Sequence, residues 1–415
     1  MDNSTAEAKK EAPKKVSEGI NQKNTPKKDL NKLYKKYHKQ PVQMNKIVCS
    51  NFHGKGFGCN SKYIVNELLK RNRDLDIVWL VTDKYEFPDG VRTVPFNSEE
   101  AIKEIATARV LIDNQMKFPG FLKRHDQFFI NTWHGAIPLK KIGFDNPSNK
   151  GKKKYENRAR LNFENIDLIT SNSRFCSDMF RRSFKYHGFI LKQGCPRNDL
   201  FFEDNAKYKK EIYAALNIPA DKKIAMYAPT FRSDKSLDAY QMDYEKVLKA
   251  LGDDYVMVLR LHPHVQKKAK NIEYNDKVYN GSIYPDMQVL MAASDVMMTD
   301  YSNIMFEFML SGRPCYIYAT DIEEYRKQRD YYFDIYDLPF PVATTSDELA
   351  QKIKDFDEIK YRKKSKKFMH SIRMKETGHA SEYVADIIEG MTSEKNYNLY
   401  KNVTRLNMKN LFWKN

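Results

Sequence analysis

Short apolar-centred runs recur along this chain with amphipathic stretches between them, and that alternation constrains the fold more than any other feature. KIVCS (46–50), DIVWLV (76–81), VLID (110–113), FFIN (128–131), DLIT (167–170) and FILKQ (189–193) make a first series. IAMYAP (224–229), YVMVLRLH (255–262), DVMMTD (295–300) and CYIYA (315–319) make a second. Helical patterns lie between the runs, at 61–71, 243–252, 285–293 and 303–311. Strands alternating with helices imply parallel sheets joined by crossover helices. Two such series in succession predict an α/β protein of two doubly wound, Rossmann-like lobes facing a cleft, with a hinge between Leu200 and Asn217. At 415 residues the chain also exceeds the size at which single cores usually divide. The predicted boundaries are a basic, disordered or loosely helical arm over 1–44, a first lobe over 45–200, and a second lobe over 201–380. A basic, aromatic helical segment over 381–415 follows.

Ligands of open α/β sheets bind beyond the carboxyl ends of the strands, so the residues after each run carry the functional expectation. Asn131-Thr132-Trp133-His134-Gly135 follows FFIN. A histidine there suits proton transfer, and it equally suits a structural cap. Arg260-Leu261-His262-Pro263-His264 closes another run, and in a strand Arg260 and His262 share one face. Both side chains can donate to phosphate oxygens; a His-x-His metal pair lacks an acidic partner at suitable spacing. Thr299-Asp300-Tyr301-Ser302-Asn303 precedes a helix that carries Glu307. Free N–H groups at that helix start suit a diphosphate, while a plain N-cap by Ser302 or Asn303 needs no ligand. Gly194-Cys195-Pro196-Arg197-Asn198-Asp199 and Ala228-Pro229-Thr230-Phe231-Arg232 each place an arginine in a turn after a run. The glycine-rich HGKGFG at 53–58 lacks the Gly-Lys-Ser/Thr ending of a P-loop.

Charge narrows the partners. The formal net charge is +17; residues 1–45 hold eleven lysines against five acids, a surplus of six, which leaves a surplus of eleven elsewhere. A basic surface attracts polyanions, whether nucleic acid, anionic lipid or a phosphate-rich polymer. The five cysteines, at 49, 59, 176, 195 and 315, form no CxxC pair, which argues against a zinc site or a disulfide framework. No stretch reaches the roughly 18 apolar residues of a membrane span, and the first residues carry no apolar signal-peptide core. The expected location is cytosolic.

Taken together, TWHGAIPLKKIG, GCPRND, APTFR, RLHPH and TDYSNIMFEF resemble, in content and order, the CDP-glycerol glycerophosphotransferase family of teichoic-acid and capsule biosynthesis. The resemblance spans about residues 46–390. It implies a fold of the GT-B type, with the acceptor-side lobe first and the nucleotide lobe second. It also implies transfer of glycerol phosphate from CDP-glycerol to a hydroxyl, with release of CMP and no cofactor. By motif position, His134 is the general base and His262 a second catalytic group. Gly135, Ala136, Ile137 and Pro138 lie against the donor, and Pro229 and Thr230 border the nucleotide. Arg197, Arg260 and His262, with Leu261 between the latter two, meet the diphosphate. Ser302 and Asn303 hold phosphate at the helix start, and Glu307 binds the ribose. No metal ligands are implied.

The chain departs from the family pattern in three places. Asn303 stands where a second serine is common, Glu307 where an aspartate is common, and Ala136 where WHGT supplies a hydroxyl. The acceptor implied is a polyol phosphate or a lipid-linked chain at the inner membrane face. The basic arm and the C-terminal segment are then candidate contacts to anionic lipid. The rival readings are a CDP-ribitol transferase of the same fold, a GT-B glycosyltransferase using a nucleotide sugar, and a basic nucleic-acid-binding protein. The last lacks a recognisable reader module, so no nucleic acid is expected.

Overall fold

The computed structural model describes residues 29–393, apart from 72, 150, 233–241, 263–264, 266–268, 270–271 and 325–329. Its first sheet joins β1 (Gln43–Cys49), β2 (Asp76–Val81), β3 (Val91–Pro95), β4 (Ala108–Asp113), β5 (Phe128–Asn131), β6 (Leu168–Thr170) and β7 (Phe189–Leu191). They pair in parallel in the order β3-β2-β1-β4-β5-β6-β7. Helices cover both faces, which is why these strands read as continuous apolar runs rather than as alternating ones. Every residue of β4 and β5 is buried. The helices of this part are α1 (Leu30–Tyr37), α2 (Cys59–Lys70), α3 (Glu99–Thr107), α4 (Lys153–Glu164) and α5 (Arg174–Phe184).

The second sheet joins β8 (Lys223–Ala228), β9 (Tyr255–Leu259), β10 (Val278–Asn280), β11 (Val296–Thr299), β12 (Cys315–Tyr318) and β13 (Val342–Ala343). It too is parallel, in the order β10-β9-β8-β11-β12-β13. Its helices are α6 (Ala206–Leu216), α7 (Tyr244–Leu251), α8 (Met287–Ala293), α9 (Ile304–Phe308), α10 (Ser346–Lys354) and α11 (Glu358–Ser371). Side-chain caps set several helix starts: Asp243, Asp286, Thr345 and Asp357 each accept a backbone N–H of the first turn.

Two segments lie elsewhere than their sequence suggested. Residues 30–37, expected in the basic arm, form α1, and its Tyr34 is buried among Phe118 and Phe121 with its hydroxyl donating to Gln127 at 3.1 Å. Residues 381–393, expected in a separate C-terminal segment, lie mostly in α12 (Ala380–Thr392), which returns to the first sheet. Val384, Ala385, Ile388 and Met391 join Ile47, Ile64, Val65 and Leu68 in one core. The chain thus crosses between lobes twice, once through 196–206, inside and just ahead of the predicted hinge, and again through 372–379. Gln43 and Met44, also expected in the arm, open β1, and residues 1–28 and 394–415 lie outside the described residues.

Each sheet reverses its strand order at one place, and crevices for ligands form at such switch points. In the first sheet the reversal falls between β1 and β4, in the second between β8 and β11. The residues just beyond those four strands include Asn51, Asn114, Thr230 and Asp300.

Candidate active site between the lobes

Beyond the first switch point a chain of asparagines builds the bed of His134. Asn114 donates to Asn51 Oδ1 at 2.9 Å and accepts the N–H of Phe52 at 2.9 Å. At the end of β5, Asn131 Oδ1 accepts the N–H of Trp133 at 2.9 Å and holds Trp133 in the left-handed region, φ +52°. A tryptophan there is strained and persists only when its surroundings hold it. The bend stacks the His134 ring on Trp133, centroids 4.3 Å apart, with Phe52 edge-on at 5.6 Å.

His134 Nδ1 lies 2.9 Å from the carbonyl oxygen of Asn114. A carbonyl only accepts, so this geometry assigns the proton to Nδ1 and leaves the lone pair on Nε2. Burial lowers the His134 pKa from its ordinary 6.5, and the charges of Arg197 and His53 push the same way against the Asn114 carbonyl. The ring is therefore neutral at pH 7, in the tautomer of a general base. If His134 serves in that role, kcat/KM stays flat through neutrality and falls about tenfold per unit below an acid limb lying under pH 6.5. A limb at or above 6.5 in the measured profile contradicts the assignment.

The GCPRND turn enters from β7. Asn60 ties it to the histidine loop, accepting the N–H of Arg197 at 3.0 Å and donating to the Thr132 and Trp133 carbonyls at 3.1 and 3.3 Å. Arg197 is buried and forms an ion pair with the fully buried Glu307 of α9. Its Nη1 reaches Cys59 Sγ at 3.1 Å, and Gln288 donates to the other Glu307 oxygen at 3.3 Å. Burial opposes the charge on Arg197, yet Glu307 more than restores it and holds the guanidinium protonated. The motifs give Arg197 to the diphosphate and Glu307 to the ribose; the fold joins the two to each other.

Arg232 is neutralised as well. It pairs with Asp321 at 2.6 Å and Asp300 at 3.0 Å, and donates to the Thr230 carbonyl at 2.8 Å. Asp300 accepts both the N–H and the hydroxyl of Thr230, at 2.9 and 3.0 Å, so the turn after Pro229 is pinned across the second switch point.

Arg260 differs. Strand β9 stops at Leu259, so Arg260 and His262 do not share a strand face as the run YVMVLRLH suggested. Arg260 Nη1 instead donates to the carbonyls of Gly281 (2.8 Å) and Tyr284, while the His262 ring packs on Phe231 at 4.6 Å. Leu261 is buried, its N–H on Ser282 Oγ at 2.8 Å. Burial lowers the pKa of Arg260, and Asp286, which acts against this, is itself held by Lys62 of the first lobe at 2.5 Å. Among the described residues, Arg260 is the motif arginine with no carboxylate in ion-pair contact.

The helix-start pair is used across the lobes. Asn303 makes no cap bond; its Oδ1 accepts the N–H of Leu139 at 3.1 Å. Gly135 approaches so closely that a Cβ there would lie 2.9 Å from Asn303 Nδ2. Ile137, Pro138 and Ala136 are buried along this loop, the Ala136 carbonyl 3.0 Å from Cys176 Sγ. Ser302 Oγ, half-exposed, lies 3.5 Å from the N–H of Ile304.

Residues 32–390 match the CDP-Glycerol:Poly(glycerophosphate) glycerophosphotransferase family. The chain belongs to that family. It is 32% identical over 367 residues to the teichoic acid poly(glycerol phosphate) polymerase of Staphylococcus epidermidis, covering 84% of this chain and 51% of that protein. It is 31% identical to the teichoic acid glycerol-phosphate transferase of Staphylococcus aureus, covering 83% of this chain and 92% of the other. Among solved structures the wall teichoic acid polymerase TagF superposes with a TM-score of 0.80 at 29% identity, over 88% of this chain and 95% of that one. The match confirms the GT-B-like α/β fold. The chain spans about half the length of the polymerases among the curated relatives it first matches.

Several of the glycerophosphotransferase motifs thus meet across the lobes, through Arg197 and Glu307 and through Leu139 and Asn303, but their supports escaped the sequence reading. Asn51, Asn114 and Asn60 carry no motif, although an asparagine directly after an apolar run was a usable signal. Glu376, in the second crossing, accepts from Cys195 N (3.0 Å) and Asn198 (2.7 Å) of the GCPRND turn. Burial pushes its pKa up to about 8 against those bonds.

Proposed function

We propose that this glycerophosphotransferase-family chain moves glycerol phosphate from CDP-glycerol to a hydroxyl of a polyol-phosphate or lipid-linked acceptor, releasing CMP. The observation that carries the reading is His134: a neutral imidazole with the lone pair on Nε2 at one switch point, joined to a second lobe in which, among the described residues, Arg260 has no carboxylate in ion-pair contact. Nε2 takes the proton of the acceptor hydroxyl. The acceptor oxygen bonds to the β-phosphorus of the donor, the bond from that phosphorus to the bridging oxygen breaks, and CMP leaves with the electron pair. Arg260 offsets the charge that gathers on the departing phosphate. Positioning does most of the rest, and no step calls on a cofactor.

A donor panel tests this directly. CMP release with an acceptor present is expected from CDP-glycerol and not from UDP-sugars; UDP release without CMP release makes the chain a glycosyltransferase instead. Preference for CDP-ribitol corrects the polyol and leaves the chemistry, and sizing the product separates a single addition from a polymer.

For the acceptor side we propose a peripheral position on the anionic cytosolic membrane face. Among the described residues no helix is long and apolar enough to cross a membrane. Residues 358–375, around α11, hold eight lysines and arginines against one glutamate. Lys363, Lys364, Lys366 and Lys367 are exposed. Each such charge is attracted to an anionic leaflet by about 1 kcal/mol. Reversing these four lysines to glutamate is expected to reduce flotation with phosphatidylglycerol vesicles and to change nothing with neutral ones. Unchanged flotation removes α11 from the contact.

A further inference from the structure

The loop that carries His134 does not end in its own lobe. Past Pro138 it runs antiparallel to residues 330–332 of the second lobe, through a bridge between Lys140 and Tyr331. Lys141 N–H donates to the Asp330 carbonyl and Tyr332 N–H to the Leu139 carbonyl, each at 2.9 Å. Leu139 is thus held on both sides, by Tyr332 at its carbonyl and by Asn303 at its N–H.

The Tyr332 side chain continues the grip. Its hydroxyl donates to Asp145 Oδ2 at 2.7 Å, accepts the N–H of Ile142 at 3.3 Å, and lies 3.1 Å from Ser183 Oγ. Asp145 is clamped in turn by Arg182, at 2.7 Å, and by Ser183. Between them sits Gly143, φ +56°, packed so tightly on the Ser183 carbonyl that a side chain would collide. One phenolic oxygen from the second lobe therefore closes a ring of groups around the far end of the His134 loop.

We propose that Tyr332 is a positioning residue: its hydroxyl latches the second lobe onto the His134 loop and holds the base in its half-buried seat only while the lobes are engaged. The inference rests on the proposed role of His134, but the latch itself is a structural statement that can fail separately. It differs from ordinary packing in what it predicts. Losing one hydroxyl leaves the ring contacts intact, including Phe175 at 5.4 Å, yet it loosens a loop far along the chain and lets more water reach the half-buried imidazole.

Tyr332→Phe in the full-length protein is therefore expected to lower kcat about tenfold while leaving KM for CDP-glycerol within about twofold. It is also expected to move the His134 titration, followed by NMR of histidine-labelled protein, upward toward 6.5. Asp145→Asn should give the same pair of changes, and the double variant little more than either alone, because both break one network. The NMR arm needs no turnover, so it reads the latch even if the donor assignment fails. A wild-type kcat in Tyr332→Phe overturns the proposal, as does an unmoved His134 titration or full additivity with Asp145→Asn.

Discussion

Replacing His134 by alanine is expected to lower kcat by about 10²–10⁴-fold, the usual contribution of a positioned general base. Binding of CDP-glycerol should change little. The separation follows from geometry: Nδ1 is spent on the Asn114 carbonyl, Trp133 stacks on the ring and Phe52 meets it edge-on, so Nε2 is the atom left for chemistry. The proton it would take belongs to the acceptor, not to the donor. The cost to the fold is modest, since the substitution orphans one carbonyl, worth on the order of 1–3 kcal/mol. CMP release gives kcat, and calorimetry with CDP-glycerol gives the donor affinity. Near-normal turnover excludes His134 as the base, and a donor affinity that falls in step with kcat would make it a binding residue instead.

How far such a site could be read from the chain depends on what each residue's role requires. Strands β1, β2, β4, β5, β8 and β11 announced themselves because both faces are buried. Strand β3 did not, because it is an edge: Arg92 and Thr93 are exposed, and the run VRTVP carries no apolar continuity. β10 and β13, of three residues and two, are edges of the same kind. Helix α1 was legible in principle, since Leu30, Leu33, Tyr34 and Tyr37 fall at i, i+3, i+4 and i+7, but the lysines between them made the segment read as an arm. In the site, residue type and strand-end position singled out His134, Arg197 and Arg260, with Glu307 one turn into the helix that follows a run, while Thr230 came from the family resemblance. Their partners are another matter. Arg197 and Glu307 are 110 positions apart and Leu139 and Asn303 are 164 apart. No spacing rule brings such pairs together; two crossings between lobes do. The consequence is chemical, because two of the three motif arginines have their charge offset by carboxylates, Arg197 by Glu307 and Arg232 by Asp300 and Asp321.

That distinction makes Arg260 the second large effect. Arg260→Ala is expected to lower kcat by about 10²–10³-fold, the range seen when one preorganised charge-stabilising donor is removed. The loss should fall on kcat and kcat/KM alike, because negative charge gathers on the leaving phosphate in the transition state rather than in the bound donor. Arg260→Lys should recover only part of it: the charge remains, but an ammonium lacks the planar fork that leaves further N–H groups for phosphate while Nη1 holds the Gly281 and Tyr284 carbonyls. Arg197→Ala supplies the contrast. It strands Glu307 buried and unpaired, and breaking a buried pair in this way costs about 3–5 kcal/mol of stability. Its defect should therefore appear first as a lowered Tm, with Arg260→Ala melting closer to wild type. If instead Arg197→Ala keeps its Tm and loses kcat while Arg260→Ala turns over normally, then the guanidinium that meets the diphosphate is Arg197, and the ion pair with Glu307 must open when the donor binds.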